Sequence, residues 1–339
     1  MKTVMDIGEN RLIERLARLV PGRRDVMAGI GDDCAVVRGA HGGDFDLLLK
    51  SDPVIEGVHF EATAAGGLVG RKAVGRVLSD IAAMGGEPLW ILIDLVAPAG
   101  MSCARIEAVY RGAAAMASRY GVAIVGGDTS RGPALELHVF AVGRVPRGKA
   151  VLRSGSKPGD RLYVTGKLGG SLLGRHLKVE PRVAEGQWLR ENGWVTAMMD
   201  VSDGLAADVP RLVKASGVGV VVEAEVLPVS GAARRMGREQ GEKRAECRGR
   251  IGMQGAGRAK GLDGTALEHA LSDGEDFELL FTVSARKAAC FEAAWRRKFQ
   301  LECTAIGKVT KVVGKVELAW KGKVGPLAIR GYEHFREPR

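Results

Sequence analysis

The stretch Ala197-Met-Met-Asp200-Val-Ser202-Asp203-Gly204-Leu205 decides how the rest of the chain is read. It follows an apolar run, opens a helical pattern and sets two carboxylates three residues apart. A polar Asp-x-Ser-Asp-Gly turn at the end of a buried strand puts charge where burial ordinarily excludes it. The same grammar recurs at Gly31-Asp32-Asp33, Ser51-Asp52, Ser79-Asp80, Gly126-Gly127-Asp128-Thr129 and Gly274-Glu275-Asp276, with small residues beside each acid. One such acid means little, because Asp is common in turns where it bonds its own backbone. As a set, Asp32, Asp33, Asp52, Asp80, Asp128, Asp200 and Asp203 read as one polyacidic site assembled from separate loops. Without cations, mutual repulsion would raise their pKa values or push the loops apart. Mg²⁺ resolves the conflict, since this hard ion is held by a few carboxylates and by phosphate oxygens. A nucleotide triphosphate is the natural further ligand.

The bulk composition fits this reading. A chain of 339 residues predicts two domains, and 46% hydrophobic residues suffice for their cores. Aromatic residues are sparse at 5% while glycine reaches 48 residues, so turns and close backbone approaches must be frequent. A formal net charge of +10 favours anionic partners, either nucleic acid, phosphorylated small molecules or an acidic surface; a solvated basic surface explains it equally well. The five cysteines Cys34, Cys103, Cys247, Cys290 and Cys303 form no C-x-x-C pair, which predicts reduced thiols and no zinc site. No apolar signal segment opens the sequence and no apolar run is long enough to span a membrane, so a soluble, cytoplasmic protein is expected.

Along the chain, helical spacing predicts a helix over 8–20, with Leu12, Leu16 and Leu19 on one face, and Pro21-Gly22 stopping it. A strand at 45–50 delivers Ser51 and Asp52, and Pro53 is expected to end its pairing. The helix expected at 67–84 carries Asp80 on the edge of its apolar stripe. Strands at 89–96, 122–125 and 135–145 and an Ala-rich helix at 103–120 complete a first α+β domain, a mixed sheet covered by helices on one face. The segment 146–159 is the expected joint, giving domains at 1–148 and 149–339.

The second half opens with strand 161–165 and Gly166-Lys-Leu-Gly-Gly-Ser-Leu-Leu-Gly174, read as leading into a helix. This run lacks the spacing of a Walker loop, because no Ser or Thr follows the lysine. Ser202 is expected to cap a helix over 203–216, closed by Gly217. A strand at 218–222 follows, then a basic Gly/Arg-rich loop near 231–264 with at most a short helix, which has no aromatic residue for stacking bases. Strand 277–283, helix 285–298 and strands near 302–309 and 315–319 close the fold. No G-x-S-x-G elbow, Ser-His-Asp order or dinucleotide-binding glycine motif is present.

Taken in order, Gly31-Asp-Asp-Cys-Ala35, Ser51-Asp52, Glu56-Gly-Val-His-Phe60, Leu78-Ser-Asp-Ile-Ala-Ala-Met-Gly85, Gly126-Gly-Asp-Thr129, Asp200-Val-Ser-Asp-Gly-Leu205 and Gly274-Glu-Asp-Phe-Glu-Leu279 closely resemble thiamine-monophosphate kinase. That family belongs to the aminoimidazole-ribonucleotide-synthetase-like superfamily. The resemblance implies a two-domain α/β fold, a homodimer formed through the N-terminal sheets, and ATP bound by a multi-magnesium acidic cluster instead of a Walker loop. It implies ATP-dependent phosphorylation of thiamine monophosphate to thiamine diphosphate. Residue by residue, it implies magnesium ligands at Asp33, Ser51, Asp52, Asp80, Asp128, Asp200 and Asp203. It implies ATP contacts at Tyr110, Gly127, Asp128, Arg153 and Ser202, and substrate contacts at His59, Glu275 and Tyr332. No dedicated catalytic side chain is implied, since positioning and charge neutralisation carry phosphoryl transfer.

Two departures from the family pattern stand out: Ser51-Asp52 replaces the usual Thr-Asp, and Asp273-Gly-Glu-Asp replaces Gly-Gly-Glu-Asp. Rival readings are a selenophosphate or aminoimidazole ribonucleotide synthetase, and a basic nucleic-acid-binding or scaffold protein. The first cysteine, Cys34, lies inside the acidic motif and not in an N-terminal Cys–Lys arrangement, which disfavours selenophosphate synthesis.

Overall fold

The computed structural model describes residues 3–20, 23–39, 43–249, 264–329 and 331–334, and side chains are described outside 241–264. In chain order the elements are α1 (Val4–Ile7), α2 (Glu9–Ala17), β1 (Val26–Ala28), β2 (Ala35–Arg38), β3 (Phe45–Ile55), α3 (Gly66–Ala83), β4 (Glu87–Ala97), α4 (Cys103–Arg119), β5 (Ala123–Gly126), β6 (Thr129–Arg131) and β7 (Glu136–Pro146). They continue with β8 (Arg161–Thr165), two 3₁₀ turns (Ser171–Leu173 and Arg175–Leu177), α5 (Val183–Glu191), β9 (Val195–Asp200), α6 (Leu205–Ser216), β10 (Gly219–Glu223) and a 3₁₀ turn at Ala224–Val226. The chain closes with α7 (Gly231–Gly249), α8 (Gly264–Ser272), β11 (Leu279–Val283), α9 (Ala288–Lys298), β12 (Cys303–Thr310), β13 (Val316–Trp320) and β14 (Lys323–Pro326).

Two compact units result: Met1–Arg153 with His176–Asp200 and His334–Arg339, and Ser154–Arg175 with Val201–Glu333. The first is built on a sheet of order β1-β2-β3-β7-β4-β5, with β6 beside β4. Its pairs are antiparallel except β4 with β5 and β6, which are parallel. In the second, strands run β14-β13-β10-β12-β8-β11, with β10 and β13 parallel and the other pairs antiparallel.

The core of the first unit is organised by α3. Residues 77–86 are all buried, so the C-terminal turns of the helix are enclosed by their neighbours and Asp80 does not sit on the edge of an apolar stripe. A helix apolar on all sides belongs at the centre of a unit. One side of α3 packs on Leu48 and Val54 of β3 and on Leu137, Val139 and Ala141 of β7, and another meets α4. Glycines set that second approach: a Cβ on Gly70 would lie 1.9 Å from the Val109 carbonyl oxygen, and one on Gly112 would lie 1.9 Å from that of Gly67. Among the described residues of this unit, none covers the other face of the sheet. There, strand alternation exposes Trp90, Leu92 and Val125, and with Phe140 and Val142 they line an apolar depression of about 310 Å³.

Several sequence expectations are corrected. The helix expected at 8–20 is present but shorter, α2 at Glu9–Ala17, divided by Gly8 (φ 72°) from a separate one-turn α1, and no residue of α2 is buried. β3 does not stop at Pro53; it continues to Ile55 with Pro53 opposite His138. Pro53 is tolerated because β2 pairs with β3 only as far as Leu49, so the strand has one neighbour there and the missing amide faces its open side. The Gly166–Gly174 run forms 3₁₀ turns through left-handed Gly169 and Gly170, and the next helix begins only at Val183. The segment expected as a loop at 231–264 is helical over Gly231–Gly249 and again from Gly264, while residues 250–263 lie outside the described ones. Ala, Arg, Glu, Gln, Lys and Met carry α7 despite its glycines, and the Ser230 hydroxyl accepts from the Ala233 amide at its start.

Candidate metal and phosphate site

Four elements of the first unit deliver charge to one place. The Gly31-Asp32-Asp33 turn before β2 supplies Asp33, α3 supplies Ser79 and Asp80, the end of β9 supplies Asp200, and β3 supplies Lys50 and Asp52. Asp33, Asp80 and Asp200 each offer a carboxylate oxygen within 4.8 Å of the other two, and all three residues are buried. The Ser79 hydroxyl donates to Asp200 Oδ2 at 2.7 Å, and Arg153 Nη2 donates to Asp33 Oδ1 at 2.6 Å. The Lys50 ammonium lies 3.0 Å from Asp80 Oδ1 and 3.4 Å from Asp52 Oδ1.

Electrostatics mark the cluster as charge held against its environment. Burial, then the Asp33 charge, push the Asp200 carboxyl up to about 7, although Ser79 and Lys50 act the other way. Burial also pushes Asp80 well above the carboxylate range, opposed by Lys50 and reinforced by Asp52 and Asp200. Burial disfavours the Lys50 ammonium, but Asp80 and then Asp52 more than offset that and raise its pKa.

The three carboxylates suit a hard, oxygen-liganded cation. An observation independent of their proximity supports the fit: Asp33 Oδ2 is buried without a hydrogen-bond partner. A buried carboxylate oxygen left unpaired costs free energy that a bound cation would remove.

The remaining residues named from sequence are distributed as follows. Ser51 is exposed, and alternation along β3 turns its hydroxyl to the opposite sheet face from Asp52. Asp128 is exposed between β5 and β6, where its amide donates to Asp94 Oδ1 at 2.9 Å and its carboxylate accepts from the Thr129 amide. Gly127 beside it has no room for a side chain, since a Cβ would lie 1.9 Å from the Ile93 carbonyl oxygen. Burial and then the Asp94 charge raise the Tyr110 phenol above its ordinary value. Arg153 is docked on the acidic turn, its amide donating to Asp32 Oδ1 at 2.7 Å and its guanidinium also to the Gly31 carbonyl at 3.1 Å. His59 accepts from the Ile55 amide at Nδ1, 3.1 Å away. Burial, then the charges of Arg76 and Lys72, hold its pKa down to about 3.

In the second unit, Ser202, Asp203, Glu275 and Tyr332 are tied together through the backbone. The Glu275 amide donates to the Ser202 carbonyl at 2.6 Å, and the Tyr332 amide donates to the Asp203 carbonyl at 3.0 Å. Glu275 itself sits in the left-handed region with φ 51°, a strained position for a non-glycine residue. Ser202 is not the cap of α6; that position is Gly204. Instead the buried Asp208 carboxylate, one turn into the helix, accepts the Ser202 and Asp203 amides at 3.1 Å each, and Arg211 pairs with both Asp203 and Asp208.

Sequence reasoning passed over Lys50, Ser79 as a partner of Asp200, Asp94, Asp208 and Arg211. Only Lys50 left a signal, as a lysine at the core-facing parity of an apolar strand. Asp273, the departure noted above, has a structural use: it accepts the Gly170 amide at 2.7 Å and faces His269 Nδ1 at 2.8 Å.

With this geometry in view, the comparisons with known proteins are specific. The model for the AIR synthase related protein, N-terminal domain, matches residues 31–145, and that for the C-terminal domain matches 157–319. The thiamine-monophosphate kinase of Rhodopirellula baltica is 39% identical over 305 residues, covering 87% of this chain and 86% of its own. That of Salmonella typhimurium is 33% identical over 356 residues, covering 98% and 100%. The structure of AaThiL complexed with AMPPCP and TMP superposes with a TM-score of 0.79 at 29% identity, covering 98% of this chain and 99% of that one. Two AIR-synthase-related domains, near-full-length identity above 30% and a matching fold together show that this chain belongs to the thiamine-monophosphate kinase family of enzymes.

Proposed function

We propose that the chain transfers the terminal phosphoryl group of ATP to thiamine monophosphate, forming thiamine diphosphate by direct in-line transfer in a site with several magnesium ions. The observation that carries this reading is the buried Asp33–Asp80–Asp200 group with its unpartnered Asp33 oxygen. The relatives' names and the AMPPCP and TMP bound to AaThiL supply the substrates.

Asp33, Asp80 and Asp200 would hold magnesium, with Asp52, Asp128 and Asp203 assigned as further ligands and Ser51, whose hydroxyl faces away from Asp52, assigned only through its backbone carbonyl. Magnesium in such a place neutralises polyphosphate charge that grows in the transition state. Gly127, Tyr110, Arg153 and Ser202 are assigned to ATP, where the Arg153 fork suits a phosphate once it leaves Asp33. His59, Glu275 and Tyr332 are assigned to thiamine monophosphate. A neutral imidazole that accepts at Nδ1 carries its proton on Nε2, so His59 can donate to a phosphate oxygen. Glu275 complements the positive thiazolium, and the Tyr332 ring, 47% exposed, offers a stacking face. The accepting phosphate is already anionic, so no strong base and no covalent enzyme intermediate are required.

We further infer a homodimer closed through the bare face of the first sheet, which Trp90, Leu92 and Val125 make apolar. A reducing, cytoplasmic setting agrees with Cys34, Cys103, Cys290 and Cys303 all being free thiols. No helix among the described residues is long and apolar enough to cross a membrane.

The test is an assay of purified protein with Mg-ATP and either thiamine monophosphate or thiamine, the products being separated by chromatography. Thiamine diphosphate formed from the monophosphate is the expected result. ATP turnover only with a different acceptor overturns the proposal.

A further inference from the structure

Beside Arg153 on Asp33 and Arg76, 3.9 Å from Asp52, the acidic cluster holds Lys50, a further cation that a metal site does not call for. Strand alternation points it the same way as Asp52, toward α3, into the space where the acidic group gathers. Its ammonium lies 3.0 Å from Asp80 and 3.4 Å from Asp52, and its side chain is 22% exposed. Asp80 is therefore shared: it is one of the three carboxylates positioned for a metal and also the nearer partner of Lys50. An ammonium and a divalent ion drawing on one carboxylate repel each other, and at such separations in a partly desolvated site that repulsion is large.

We propose that Lys50 is a built-in counter-cation that occupies the Asp52–Asp80 edge in place of one divalent ion. The inference rests on the metal role proposed above. It has two consequences. The acidic group is partly neutralised before any metal arrives, so the fold does not depend on metal to bring Asp52 and Asp80 together. The site also takes up fewer divalent ions than its carboxylates could hold, or holds one of them weakly, because the ammonium must move aside first. A lysine stem allows that movement, since its charged end can swing toward solvent while the chain stays packed.

The experiment is Mn²⁺ titration of the full chain, read by electron paramagnetic resonance of the free ion, for the parent, Lys50→Met and Lys50→Arg. The expected result is one additional Mn²⁺ per chain in K50M, or at least about tenfold tighter binding of its weakest ion, the scale of removing roughly one pKa unit of charge interaction. K50R, which keeps the charge, should follow the parent. Thermal unfolding supplies a second readout: K50M should melt lower than the parent in chelator and recover with Mg²⁺, while the parent changes less. Should K50M fail to fold in chelator, Lys50→Gln takes its place in both measurements. Unchanged or weaker Mn²⁺ binding in the neutral variant overturns the inference and leaves Lys50 a structural ion pair. Absence of Mn²⁺ binding by every variant and by the parent overturns the metal reading along with it.

Discussion

At the scale of single residues, the buried carboxylates set the expectations. Asp200 is pushed up to about 7 mainly by burial and by Asp33, so in the metal-free protein its charge opposes folding. Asp200→Asn should cut thiamine diphosphate formation by about a hundredfold or more, the scale seen when one preorganised electrostatic group is lost from an active site. The same variant should melt no lower than the parent in chelator and lose the stabilisation that Mg²⁺ confers; full activity in D200N would remove Asp200 from the metal site. His59 offers a pH test. Its pKa falls from 6.5 in the unfolded chain to about 3 in the folded one, through burial first and then Arg76 and Lys72. Between those values the unfolded state takes a proton that the folded state refuses, so stability is held above pH 6.5 and declines as pH falls toward 3. His59→Asn can keep an acceptor for the Ile55 amide while removing the titration. Urea midpoints measured from pH 7 to pH 4 should then fall less steeply than for the parent, and an unaltered slope would show that His59 does not titrate as described.

Among elements, the α3–α4 contact is the most demanding. A methyl group on Gly70 would press on the Val109 carbonyl at 1.9 Å and on the Ala113 amide at 2.7 Å, and backbone cannot rotate aside as a side chain can. Gly70→Ala should therefore destabilise the first unit by about 3 kcal/mol or more, beyond the usual range for overpacking, despite the better helix propensity of alanine. Thermal unfolding of G70A beside the parent gives the answer, and an equal or higher midpoint would mean that the helices separate easily. The turn before α6 shows another kind of control. Its two acidic-loop amides are held by Asp208 from inside the helix, so the position of Ser202 and Asp203 depends on a residue one turn further along.

For the whole molecule, the proposed homodimer turns on the apolar face of the first sheet. Trp90 is 48% exposed and sits with Val125 and Phe140 on a face that no described element of its own unit covers. Trp90→Glu should convert a dimer into a monomer, as read by light scattering across a concentration series, and should leave the unfolding midpoint of the monomer nearly unchanged. A parent protein that is monomeric at every concentration would dispose of the dimer.

The sequence by itself determined the strands and helices with strong periodicity, the acidic turns between them, and, through the order of those turns, the family. Those properties are local or linear: alternation for β7, helical spacing for α3, and small residues beside each aspartate. It misjudged α7, where helix-forming side chains outweigh interspersed glycines, and Pro53, whose missing amide is harmless only because β2 has already ended. Tertiary structure alone decided which acids meet. Asp33, Asp80 and Asp200 come from a turn, a buried helix and a strand end far apart in sequence, and Asp128 stands outside that group at an exposed turn. It also introduced Lys50, because opposite charges select partners by distance and burial, neither of which is written in residue order.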